Sequence, residues 1–175
     1  MWPVSGGWVI GACPHSVVYT AKSILRCEGA YDFVDSLRSL KHRPNVVISD
    51  IAHTVASCAS KIDRHFFHPF EGRLGTADDL EPEESKSEER KKFSLPFLQQ
   101  YNQHDHTLGC ECHPITGSLD HYSLFDWFHE GNVKSSIEYL RRSSLVTELA
   151  GSIDTQTAEQ FFSSLKRDMY FVLRE

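Results

Sequence analysis

The stretch Asn45-Val46-Val47-Ile48-Ser49-Asp50 constrains the fold more than any other part of the chain. Val46 to Ser49 reads as a buried strand, apolar and β-branched, opened by Pro44 and closed by a carboxylate. The period then changes. Ile51, Val55, Ala59 and Ile62 recur at helical spacing, with Ala52, Ala56 and Ser60 beside them. A strand that ends in Asp and turns straight into a helix sets that Asp at the carboxyl edge of a sheet, where open α/β folds hold ligands and metals. Asp is also a preferred helix N-cap, so Asp50 has a purely structural explanation too.

Upstream, Gly7 to Gly11 predicts a short strand and Cys13-Pro14-His15-Ser16 a turn with a helix-initiating Ser. Val17, Ala21, Ile24 and Leu25 share one helical face, and Gly29 interrupts it. A second helix is predicted from about Tyr31 to Leu40, with Val34, Leu37 and Leu40 inward. Two strands joined through helical crossovers imply a parallel pair, so the expected class is α/β. Two strands make a poor sheet. Further strands must come from elsewhere in the chain or from a larger domain.

Downstream, Phe66 to Phe70 is an aromatic loop around Pro69. Asp78 to Lys92 holds seven acidic and four basic residues, a net of 4 − 7 = −3, and reads as part of a solvated loop over about 72–92. Structure is expected to resume near Phe93. A Cys/His-rich, largely helical region should then fill about 100–150, carrying His104, His106, Cys110, Cys112, His113, His121 and His129. Zinc favours these residue types, although the Cys110-Glu111-Cys112 spacing suits tetrahedral chelation less well than C-x₂₋₄-C. Tyr122, Phe125 and Phe128 lie at helical spacing, with Asp126 and His129 on an adjoining face. Such a pair holds a metal or ties a helix to its neighbour. Val133, Ile137 and Leu140 continue as a helix. A closing helix is predicted from near Asp154, striped by Ala158, Phe162, Leu165, Met169 and Val172, with Glu159 in its first turn. The helix dipole alone favours an acid there.

Composition excludes several classes. At 175 residues and 40% hydrophobic, the chain is one domain with a real core. A net charge of −6 gives no overall basic footprint of a strong, autonomous nucleic-acid binder. The first 21 residues carry no Lys, Arg, Asp or Glu, yet they lack a basic leader and are broken by Pro3, Gly6, Gly7, Gly11 and Pro14, so they do not read as a signal peptide. No run is apolar enough to span a bilayer. Five cysteines, an odd number, argue against a disulfide framework and for a reducing intracellular setting.

Several blocks together resemble the core of the Kyakuja–Dileera–Zisupton (KDZ) transposases: Gly11 to Tyr19, Lys41 to His53, His113 to Ser118, Asp126-Trp127-Phe128-His129 and Thr155 to Gln160. Similar stretches occur in vertebrate proteins of transposon origin, some labelled HMG domain-containing proteins. The resemblance implies an RNase H-like fold in which three acids bind two divalent ions, Mg²⁺ or Mn²⁺, for DNA strand cleavage and transfer. By position Asp50 matches the second acid and Glu159 the third, on the closing helix. Asp126 and His129 match a C/D-x-x-H signature between them, so zinc at Asp126, His129, Cys110 and Cys112 is a further expectation. The first acid belongs on an opening strand, and no strand is predicted ahead of Trp8; Asp32 and Asp35 fall on a helix. The chain thus resembles a partial RNase H-like domain over 1–175 with an incomplete acidic triad. Two readings follow: a nuclear DDE-type transposase fragment, inactive alone, with DNA as partner, or a non-catalytic domesticated module for protein or chromatin contacts.

Overall fold

A computed structural model describes residues 7–24, 29–80, 91–98 and 113–150, together with 160, 163 and 164. Its described elements are β1 (Gly7–Ala12), β2 (Val18–Ile24), α1 (Ala30–Arg38), β3 (Val46–Ser49), α2 (Ala52–Ile62) and β4 (Tyr122–Phe125), with short 3₁₀ turns elsewhere. The class is mixed α/β, with two small two-stranded sheets.

The expected helix beginning at Val17 is instead β2, paired antiparallel with β1 from Gly7↔Ile24 to Ala12↔Val18. Val18, Tyr19 and Thr20 are β-branched or aromatic and fit a pleated surface. The strand's inward series includes Lys22, a charge that hides the period of two. Lys22 is retained because its ammonium reaches across to α1, 3.1 Å from Asp32 and 2.7 Å from Asp35. Cys13 to Val17 turns the chain, with the Cys13 N–H donating to the Val17 carbonyl at 3.0 Å and Ser16 in the left-handed region at φ 61°.

A parallel pair exists, but it joins β3 to β4, in register Val46↔Tyr122 through Ser49↔Phe125, and does not include β1. Both faces of β3 are covered. Val47 turns toward a core of Val34, Val55, Ala56, Ala59, Phe66 and Phe67, where α1 and α2 pack. Val46 and Ile48 turn to a second core built on Leu74, Leu124, Leu145 and Val146. β4 stands where a helix is expected. It buries all four of its residues, so it shows no alternation, and the i, i+3 spacing of Tyr122 and Phe125 imitates a helical stripe. Phe128, expected on that stripe, is 75% exposed.

Residues 113–150 otherwise hold β4 and three 3₁₀ turns, at Glu130–Asn132, Ser136–Arg141 and Ser143–Leu145, in place of the helices expected there. They are fixed by buried polar ties. Arg141, 2% exposed, donates to Glu138 at 2.6 Å and to the Ser123 carbonyl at 3.2 Å. Glu130 accepts from both Ser143 and Ser144. The first part of the stretch expected as a loop at about 72–92 is also structured. Gly72, at φ 79°, leaves only 2.8 Å between a would-be Cβ and Phe67, so a side chain there would collide. Thr76 and Asp79 cap Ala77–Asp79 reciprocally. The Lys91 ammonium, with the Thr76 N–H, holds the Asp79 carboxyl down to about 2. Residues 81–90 lie outside the described residues. No helix among the described residues is long and apolar enough to cross a membrane.

Candidate acidic site at the strand edge

Asp50 is exposed in the turn between β3 and α2. It does not serve as the cap: α2 opens on Ile51 without a side-chain cap bond. Asp126 directly follows Phe125, the register partner of Ser49. Both acids therefore stand one residue beyond paired strand ends. Neighbouring strands lie about 4.8 Å apart, so the two residues follow the same carboxyl edge of the pair. The sequence placed Asp50 at such an edge but set Asp126 on a helix, and so missed the shared edge. The signal that could have found it is the four-residue stretch Tyr122 to Phe125 ending in Asp126, which parallels Val46 to Ser49 ending in Asp50.

Asp126 has a second engagement. Its carboxylate accepts from the His129 N–H at 2.8 Å and from His129 Nδ1 at 2.8 and 2.9 Å. Asp126 and His129 thus meet as expected, but across a tight turn leading into Glu130–Asn132 and not on a helix face. A carboxylate only accepts, which puts the ring proton on Nδ1 and makes Nε2 the basic nitrogen. A carboxylate that orients an imidazole in this way is the usual support for a metal-ligating His.

Three of the blocks, Lys41 to His53, His113 to Ser118 and Asp126 to His129, meet at this strand pair. Asn45, 5% exposed, donates to the carbonyls of Ser118 at 3.3 Å and Asp120 at 2.7 Å, and accepts from Thr116 at 2.5 Å. It clamps the His113–Ser118 turn against the start of β3. The Asn45 carbonyl also receives the Tyr122 N–H at 2.7 Å, which opens the ladder to β4.

Glu159, Cys110 and Cys112 lie outside the described residues. Among the described residues no group of three His, Cys, Asp or Glu could hold a metal ion. A hard ion such as Mg²⁺ takes one or two carboxylates and keeps its waters, and Asp50 is the exposed acid at this edge. Asp126 and His129 alone are too few for a structural zinc. Cys13 and Cys58 are free thiols.

A stretch of 55 residues is 46% identical to HMG domain-containing protein 3 of Homo sapiens, covering 31% of this chain and 4% of the human protein. The chain therefore spans a small part of that relative. The match agrees with the expected likeness to HMG domain-containing proteins and does not extend to the transposase family. No protein-family model matches the chain. No solved structure matches it.

Proposed function

We propose that this chain is a fragment of a metal-dependent DDE-type DNA transposase core of RNase H-like fold, inactive by itself, in which Asp50 and Glu159 bind Mg²⁺ or Mn²⁺. The observation that carries the reading is the position of Asp50 and Asp126, each directly after the register-matched end of a strand in a parallel pair. A bound divalent ion would supply charge stabilisation for an attacking and a leaving oxygen. Asp126 would hold its carboxylate in place through His129. An added opening strand has a natural seat. A groove of about 720 Å³ runs between β1 and β3, lined by Val9, Ile10, Val46 and Ile48 among others. Among the described residues β1 pairs only with β2 and β3 only with β4, so each has a strand edge with no ladder partner there, the kind of edge that takes an added strand. Ser49 lines the same groove, and its buried Oγ has no hydrogen-bond partner among the described residues.

A nuclear, DNA-associated role follows from this reading, and the name of the human relative supports it at the level of DNA or chromatin contact. A non-catalytic domesticated module for protein or chromatin contacts is the second reading, favoured by the match to a human HMG domain-containing protein. Incubation with supercoiled plasmid and Mg²⁺ or Mn²⁺ tests the proposal. The chain alone should leave the plasmid intact, because a metal pair short of one carboxylate loses most of its charge stabilisation. Addition of a peptide supplying an Asp-bearing strand should restore nicking that Asp50→Ala abolishes. Intact plasmid under both conditions would favour the second reading.

A further inference from the structure

The opposite end of the parallel pair opens on a mainly cationic cavity, with Asp120 beside His121. Arg43 and Pro44 lead into β3 and His121 leads into β4, so the approaches to both strands share one edge. Four residues of strand, roughly 13 Å at about 3.3 Å each, separate that edge from Asp50 and Asp126. A cavity of about 390 Å³ opens there. Arg38 and Lys41 line it from the end of α1 and the turn after it, and Ile62 and Asp63 from the end of α2. Arg43 and three imidazoles, His42, His113 and His121, complete the polar wall.

Asp63 is the single carboxylate of the lining, and it already accepts the His65 N–H at 2.9 Å. The cavity thus carries 3 − 1 = +2 with neutral imidazoles, in a chain of net −6. None of the three cations forms an ion pair with an acid among the described residues. A cleft of one sign attracts the opposite ion and holds it more firmly than open surface does. The wall is also set in advance. Arg43 donates to the Phe66 carbonyl at 2.8 Å and lies 4.4 Å over the Phe66 ring. The His121 Nδ1–H donates to the Pro44 carbonyl at 2.9 Å. His113 Nδ1 accepts the Ile115 N–H at 3.3 Å, which leaves Nε2–H of that neutral ring as a donor.

We propose that this cavity binds a phosphate group borne by a nucleic-acid strand. Guanidinium forks and an ammonium suit a phosphate's oxygens. A volume near the lower bound of small-molecule sites, about 300 Å³, exceeds what one tetrahedral anion fills, and exposed Ile62 offers an apolar wall for a sugar or base. The cations repel a metal ion. The site stands apart from the acidic edge and does not depend on its reading. Burial and the neighbouring His42 hold the His113 ring below its usual pKa, and burial does the same for His121. Both are neutral near pH 7 and gain charge on acidification. His68 and Asp120 also face His121. A phosphodiester keeps its single charge while these rings protonate, so affinity should rise as pH falls below the usual imidazole value of about 6.5.

The test is fluorescence anisotropy of a short labelled single-stranded oligonucleotide with the whole chain. Saturable binding that weakens steeply with salt is expected. The double variant Arg38→Gln/Lys41→Gln, at exposed positions, should weaken it at least ~10-fold and flatten the salt slope by about two, near one for each cation withdrawn from a phosphate. Asp63→Asn, which keeps the His65 acceptor, should tighten it. Wild-type affinity and slope in the double variant would overturn the proposal, as would absence of binding by the wild type. Displacement by a nucleoside monophosphate at equal phosphate concentration would overturn the nucleic-acid assignment in favour of a small phosphorylated ligand. Equal displacement by polyglutamate would overturn the phosphate assignment.

Discussion

Arg141 shows how a charge becomes structural. Its side chain is buried against Glu138, itself 8% exposed, while desolvation lowers its pKa and Glu138 opposes that shift. Arg141→Ala should destabilise the fold by about 3–5 kcal/mol, because it leaves the buried Glu138 carboxylate only the longer contact to Arg73, at 3.6 Å. Urea denaturation followed by tryptophan fluorescence measures this. Arg141→Met combined with Glu138→Gln should recover much of the loss; a double variant no better than the single one would refute a charge origin. His121 supplies a pH signature. Its folded pKa is lowered by burial, so the unfolded state binds more protons below about 6.5. Stability should therefore fall as pH drops from 6.5 toward the folded value, and His121→Gln should flatten that dependence in buffers free of phosphate. An unchanged slope in the variant would assign it elsewhere.

Among the elements, β3 and α2 were legible because each shows one clean period and a sharp change between them. β2 was obscured by the inward Lys22, whose partners Asp32 and Asp35 come from α1, a pairing no local pattern reveals. β4 was obscured by burial on both faces. The candidate site was half legible for the same reason. Asp50 follows from its own strand, whereas the position of Asp126 depends on a pairing between segments about 70 residues apart, as the register Val46↔Tyr122 shows. That pairing rests on two elements of the sequence, Asn45 and Leu124. Leu124→Ala, at a site with no exposure, should cost about 2–5 kcal/mol. Asn45→Ala should cost about 1–3 kcal/mol by removing the side-chain amide that ties Ser118, Asp120 and Thr116 to the start of β3. Amide exchange should then quicken over His113–Ser118 before it does in α2. Uniform quickening would mean that Asn45 supports the whole fold rather than the turn.

At the scale of the molecule, acids follow one end of the parallel pair, while the cavity at the other is lined mainly by cations, with Asp120 beside His121. A nucleic-acid strand held by its phosphates at the basic edge and a divalent ion held at the acidic edge are compatible with one ligand spanning both. The most direct test of the central claim is Mn²⁺ titration of the isotope-labelled chain, followed by paramagnetic broadening of its amide signals. Asp50, Asp126 and Glu159 should broaden together at low Mn²⁺, and Asp50→Asn should remove the effect at all three. Broadening confined to the acidic stretch from Asp78, with Asp50 and Glu159 untouched, would contradict a shared cation site at the carboxyl edge.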